Sequence, residues 1–275
     1  MSLSALLQKL AQLLSEIFGS TSKKSSDPDP VSQPVLDQAE ESEEAGDVVT
    51  EYPSQVDEVI VSEDVGKLTV GEMVAHLVEV ESYTIHYNKG ERGKTAPAGI
   101  YYKNFPHWEG WRFLTHVAQE NGITFDPAAS DSVGCKALTE TVVSGYKDEM
   151  DGLIEAFVRE EYFDKLHPDR FPGKKSALSF FSLTVHAGPR RAAKLLQKVL
   201  VDNGAKIAID GRAGTKTFAA LERSGLDDEY LNQQLLLQMY FFYNRLVARN
   251  PSRYGKFYKG WVNRLKKLGF QEPKA

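Results

Sequence analysis

Cysteine is nearly absent from this chain: 275 residues contain one, Cys135. A single thiol cannot close an internal disulfide and offers no thiolate set for structural zinc, which excludes a cystine-stapled extracellular scaffold. Long apolar runs are missing too. No stretch approaches the ~18 consecutive apolar residues of a spanning helix, so stable membrane insertion is not expected. A secretory signal is also lacking, because nothing basic precedes the first apolar segment and Lys9 and Glu16 interrupt it. The expectation is a soluble protein synthesised in the cytoplasm without a signal peptide. His76, His86, His107, His116, His167 and His186 show no metal-ligand spacing. Phosphate loops, dinucleotide glycine fingerprints and Gly-x-Ser-x-Gly elbows are absent. Neither a metal nor a cofactor is expected.

What the chain does have is charge, unevenly placed. Lys23–Asp64 hold 13 acids and 2 bases, a net of −11, whereas residues 186–275 hold 17 bases and 7 acids, a net of +10. A basic end of this kind suits an anionic polymer: nucleic acid, anionic lipid or bacterial wall. Nucleic acid is the poorest fit, since the bases scatter through helical segments without the aromatic interleaving of a single-strand platform.

The acidic stretch, residues 20–65, has little periodicity and one aromatic residue, Tyr52. It reads as a disordered linker that cannot bury enough apolar area to offset its ordering entropy. Ahead of it, Leu3, Leu7, Leu10, Leu14 and Ile17 alternate spacings of four and three, giving an amphipathic helix within residues 1–19. Two heptads are too short to stand alone and lack the basic face of a membrane-surface helix, so residues 3–18 are expected to dock into a protein assembly. The body follows. Thr69 and Glu72 form a capping-box pattern before a helix to about Glu81, residues 83–106 suit a loop or short hairpin, and helical patterns recur at 109–121, 132–145, 149–166, 175–203, 213–223, 228–249 and 252–268. The fold class is therefore mainly α.

Two carboxyl groups in contrasting settings attract notice. Glu81 closes an apolar helix beside Val78, Val80 and Tyr83, while Glu91 lies ten residues on in a Gly-rich basic loop, with Thr95 after it. One carboxyl to donate a proton and a second to stabilise charge or activate water are what glycoside hydrolysis needs. By spacing alone an ordinary solvated pair is the better fit, since any helix followed by a loop can supply two glutamates. Tyr83, Tyr101 and Trp108 are candidates for stacking on sugar rings or for ordinary packing.

Several ordered motifs carry a family resemblance over about residues 68–268. Phe180-Phe181-Ser182-Leu183-Thr184-Val185-His186-Ala187-Gly188-Pro189, followed by Ala192-Ala193-Lys194-Leu195-Leu196-Gln197, resembles the middle of glycosyl hydrolase family 108 muramidases. Ile209-Asp210-Gly211 with Gly214 and Lys216-Thr217 is similar to the turn of their peptidoglycan-binding domain. Phe242-Tyr243, Arg245-Leu246, Phe257 and Gly260-Trp261-Val262-Asn263-Arg264 look like its closing helices. Upstream, Tyr162-Phe163-Asp164 is similar to the family's Tyr-Trp-Asp, and the approach Leu77-Val78-Glu79-Val80-Glu81 resembles the helix leading to its catalytic Glu. Departures exist: the family's Glu-Gly-Gly-Tyr is here Glu81-Ser82-Tyr83, the Asn of its Gly-Gly-x-Thr-Asn is lost after Thr95, and Ser182 and His186 replace Asp and Asn.

The resemblance implies a lysozyme-like catalytic lobe at 66–185 and an α-helical peptidoglycan-binding lobe at 186–275. It also implies hydrolysis of the β-1,4 bond between N-acetylmuramic acid and N-acetylglucosamine. Glu81 would be the acid, Glu91 and Thr95 would serve the opposite face, and Tyr83, Tyr101, Trp108 and His186 would be substrate-binding candidates. Phage endolysins and secretion-associated muramidases belong to this group, so the expected partners are bacterial peptidoglycan and a phage or contractile injection particle. The expected place of action is the cell wall or periplasm. The alternative is a non-catalytic peptidoglycan-binding scaffold with a degenerate site.

Overall fold

A computed structural model describes residues 66–272. The docking helix expected at 1–19 and the linker expected at 20–65 both lie outside the described residues. Within them the chain forms nine α-helices of ten residues or more. They are α1 (Val70–Glu81), α2 (Glu109–Glu120), α3 (Cys135–Gly145), α4 (Lys147–Val158), α5 (Lys174–Ala187), α6 (Pro189–Asp202), α7 (Thr215–Ser224), α8 (Asp228–Arg249) and α9 (Pro251–Lys267). The mainly α class read from the sequence is the class observed. No helix among the described residues is long and apolar enough to cross a membrane.

α1 starts where the capping box placed it. The Thr69 hydroxyl accepts from the Glu72 amide at 3.3 Å, and the Glu72 carboxylate accepts from the Thr69 amide at 2.8 Å. Lys174 at the start of α5 grips the other Glu72 oxygen at 2.8 Å, which holds that carboxyl below its usual range. α1 ends at Ser82, whose φ of 70° and ψ of 168° lie in a region that glycine favours. A side chain there strains the backbone by about 1–3 kcal/mol. Ser82→Gly removes that strain but also an exposed Ser82–Thr84 hydroxyl contact of 2.7 Å. The expected net gain is about 1 kcal/mol, seen as a rise in Tm of roughly 2–4 °C in thermal unfolding. An unchanged or lower Tm would show that the neighbouring loop already absorbs the strain.

The run read as helical over 175–203 is two helices. Gly188 has φ 81° and Pro189 opens α6, so the α5 ladder stops and the chain turns back on itself. The run at 149–166 is likewise interrupted, with α4 widening into a π-helical turn at Arg159–Phe163 before a short helix at Asp164–Leu166. Residues 83–106 form a loop closed by isolated bridges, His86 to Thr95 and Thr95 to Tyr101.

α8 runs through the middle of the C-terminal part, apolar on most of its circumference and packed against α5, α6 and α9. Buried polar pairs fix its register. Ser179 of α5 donates to Asn232 at 2.5 Å, and the Tyr258 hydroxyl of α9 donates to Asn244 at 2.6 Å. The Asp210-Gly211 turn also has a structural cause: Gln197 of α6 donates to Asp210 at 2.8 Å and accepts from the Gly211 amide at 2.9 Å. A single apolar core runs from Leu68 to Phe270, and a boundary drawn after residue 185 falls inside α5.

Candidate active site

The last residue of α1 is where the first and last of the described helices meet. Arg264, on α9, donates from Nη2 to Oε1 of Glu81 at 2.9 Å, with the two side chains 11% and 26% exposed. One turn of contact away, Lys267 of α9 pairs with Glu79 at 3.2 Å. The apolar surroundings expected for Glu81 from its sequence neighbours are thus incomplete: a guanidinium 183 residues further along faces its carboxylate. On the other side the loop at Pro97–Gly99 presses against it. The Ala98 amide donates to the Ser82 carbonyl at 3.1 Å, and a β-carbon built on Gly99 (φ 75°) would stand 2.9 Å from Cγ of Glu81. Glycine at position 99 is required both by conformation and by this close approach.

Around this carboxylate lie three further polar groups. His76, five residues back on α1, shares a hydrogen bond of 3.0 Å with Ser182 of α5, and burial lowers its pKa. Arg264 and Lys267 push in the same direction, against Glu79 and Glu81. Tyr162, on the π-helical turn, has its hydroxyl pKa pushed up to about 12, chiefly by burial, with Glu161 and Glu81 adding to it. Its ring lies edge-on to Phe181 at 5.4 Å. A π turn displaces side chains from the regular helical positions, which is how Tyr162 comes to feel Glu81 from a helix continuous with α4.

Glu91 sits in a tight turn, its amide donating to the Asn88 carbonyl at 3.0 Å and its Oε2 accepting from the Asn88 side chain at 3.1 Å. Thr95 is 5% exposed in the central position of the bridged loop, where its amide and carbonyl both pair with His86 at 2.8 and 2.9 Å. Tyr101 is bridged to it, and the Tyr101 hydroxyl accepts from the Arg92 amide at 2.8 Å. The structure therefore gathers Glu91, Thr95 and Tyr101 in one small loop. Lys94 anchors that loop from beneath. Its side chain is fully buried, and Nζ donates to the Asp131 carbonyl and to Oδ1 of Asp131, each at 2.8 Å.

The remaining candidates are placed elsewhere. Tyr83 donates its hydroxyl to Asp151 of α4 at 2.7 Å, and Lys147 lies over its ring at 4.9 Å, so one ring face is already covered. Trp108 precedes α2 and meets Trp111 and Phe157 edge-on at 5.6 and 5.8 Å, half-buried against the core. His186 is buried between Tyr243 and Trp261 at 5.7 and 6.2 Å. Its Nε2 has no hydrogen-bond partner among the described residues, and burial followed by the nearby Arg264 charge holds its pKa well below the ordinary histidine range. Such a ring stays neutral and packs; it does not line a surface.

Arg264, Tyr162, His76 and Ser182 are the neighbours of Glu81 that its local sequence does not announce. Arg264, Tyr162 and Ser182 each stand within a motif that resembles the family, which was the available signal. No group of three or more metal-ligating side chains occurs among the described residues.

The comparisons with known proteins bear on the same end of the chain. A family model described as "Predicted Peptidoglycan domain" matches residues 191–266, a segment that begins in α6 and contains Arg264. The C-terminal part of the chain is thus similar to a peptidoglycan domain. Among solved structures, the Brucella abortus protein SagA is similar at 20% identity and a TM-score of 0.43, over 72% of this chain and 90% of that one. No curated protein matches the chain.

Proposed function

We propose that this protein is a peptidoglycan hydrolase of the muramidase type, cleaving the β-1,4 bond between N-acetylmuramic acid and N-acetylglucosamine. The observation that carries the reading is the grip on Glu81: a carboxylate at a helix end is held by Arg264, a residue of the segment that matches the peptidoglycan domain. Catalytic carboxyl and wall-binding segment are then neighbours by construction. Arg264 occupies Oε1, which leaves Oε2 as the oxygen that can carry a proton to substrate. In the reaction, Glu81 delivers its proton to the glycosidic oxygen as the bond to C1 breaks. On the opposite face Glu91, or a loop water that it orders with Thr95, stabilises the charge developing at C1 or activates the water that adds there. The resemblance to glycosyl hydrolase family 108 supports these roles, and Ser82 stands where that family has a glycine, in a backbone conformation that suits one.

The same ion pair favours a second reading, a peptidoglycan-binding scaffold in which Glu81 and Arg264 serve only as a strut between α1 and α9. Release of muropeptides from purified sacculi by the intact chain separates the two, since a scaffold releases none. Delivery is the finer part of the proposal: residues 3–18 dock into a phage or contractile injection particle, on the strength of their leucine spacing. Deleting residues 1–19 should leave activity on purified walls intact and remove the protein from isolated particles. Normal loading of the truncated protein would refute the docking.

A further inference from the structure

Between Glu229 and Glu272 the chain contains no acidic residue, while it contains eight bases. Six of these lie on α9: Arg253, Lys256, Lys259, Arg264, Lys266 and Lys267. The helix divides into two halves by how those cations are used. In its C-terminal half, Arg264 is paired with Glu81, Lys266 with Glu272 and Lys267 with Glu79. In its N-terminal half, Arg253, Lys256 and Lys259 are exposed, and no carboxylate among the described residues pairs with any of them. Spacings of three residues keep these cations on one face, rising about 4.5 Å per step. Two are already steadied over rings of their own helix, Arg253 at 5.3 Å from the Tyr254 centroid and Lys256 at 4.9 Å from that of Phe257. Of the ten exposed lysines elsewhere among the described residues, five, Lys136, Lys147, Lys165, Lys175 and Lys198, have an acid within reach.

We infer that the Arg253–Lys256–Lys259 face of α9 is the docking surface for the free carboxylates of peptidoglycan stem peptides. This rests on the peptidoglycan reading above and says which chemistry of the wall is held, and where. Charge complementarity carries the argument: three uncompensated cations in register fit a partner bearing repeated carboxylates. The bare glycan is the weaker fit. Sugar recognition needs exposed ring faces: Tyr254, Tyr258 and Trp261 of this helix are buried, and the half-buried Phe257 already stacks on Trp261 at 5.9 Å.

The test is co-sedimentation of the full chain with sacculi free of phosphate polymers, carried out in the Glu81→Gln background so that the wall is not consumed. The triple variant Arg253→Gln, Lys256→Gln, Lys259→Gln should bind about tenfold more weakly at low salt, with most of the difference gone at high salt. A charge-matched control, Lys136→Gln, Lys165→Gln, Lys206→Gln, should bind like the parent. Sacculi whose peptide carboxylates have been amidated should reduce binding of the parent to the level of the triple variant. Parent-like binding by the triple variant overturns the surface. An equal loss in the control assigns the effect to net charge and overturns it as well. Undiminished binding to amidated sacculi overturns the choice of carboxylate. Muropeptide release is scored separately on the unaltered chain: binding as expected with no release retains the docking surface and removes the muramidase reading.

Discussion

Glu81→Gln is expected to lower muropeptide release from sacculi by about a thousandfold while leaving Tm within a degree or two of the parent. The rate effect follows from the role: a positioned general acid contributes roughly 10²–10⁴, and an amide has no proton of suitable acidity to give. The small stability effect follows from the contacts. Glutamine is close in shape to glutamate, and its carbonyl oxygen can still accept from Arg264 where Oε1 does now, at 2.9 Å. Gly99, which leaves no spare volume against Glu81, meets the same atoms in both side chains. Glu91→Gln should lose less, because its carboxylate sits on a turn with Asn88 and its work on water can be partly taken over by solvent. The measurement is reducing-sugar or muropeptide release together with thermal unfolding. Wild-type release by Glu81→Gln would remove Glu81 from the role of acid.

How much of this was legible in the sequence depends on whether the cause was local. The start of α1 could be read because its capping box is a contact between residues three apart, Thr69 and Glu72. The end of α5 was also written in the sequence, in Gly188-Pro189, yet the apolar period carries straight on through it, and period outweighed the breaker in the reading of 175–203 as one run. The π turn at Arg159–Phe163 has no comparable mark, since its residues are ordinary helix formers and the extra residue per turn is set by packing. For the site the limit is sharper. Neighbours in sequence make Glu81 look apolar, because Val78 and Val80 flank it, whereas its closest partner comes from α9. His186 shows the reverse error: a polar ring in a motif suggests a ligand contact, but between Tyr243 and Trp261 it packs as an aromatic.

Arg264→Ala is expected to reduce kcat by about 10–100-fold with KM within a factor of a few. Arg264 touches the acid and not the scissile bond, so it acts as a positioning residue. Its guanidinium fixes one carboxyl oxygen and thereby the rotamer that presents the other. Loss of such a hold is felt in the transition state, where a displacement of an ångström is costly, more than in ground-state binding spread over many wall contacts. Arg264→Lys should recover part of the loss. Its ammonium restores a charge near Glu81, but a point donor on a flexible stem does not reproduce a planar fork. Stability moves less than rate, because the pair is partly exposed and the residues packed on either side, Trp261 and Leu265, are untouched. Separate kcat and KM values on a soluble muropeptide oligomer, taken well below Tm, distinguish the outcomes. An unchanged kcat for Arg264→Ala would mean that α1 and the Pro97–Gly99 loop suffice to aim Glu81 and that the pair only ties α1 to α9. A rise in KM alone would make Arg264 a substrate contact instead. A fall in kcat with partial rescue by lysine would mean that the segment matching the peptidoglycan domain does more than hold the wall: it completes the site that cuts it.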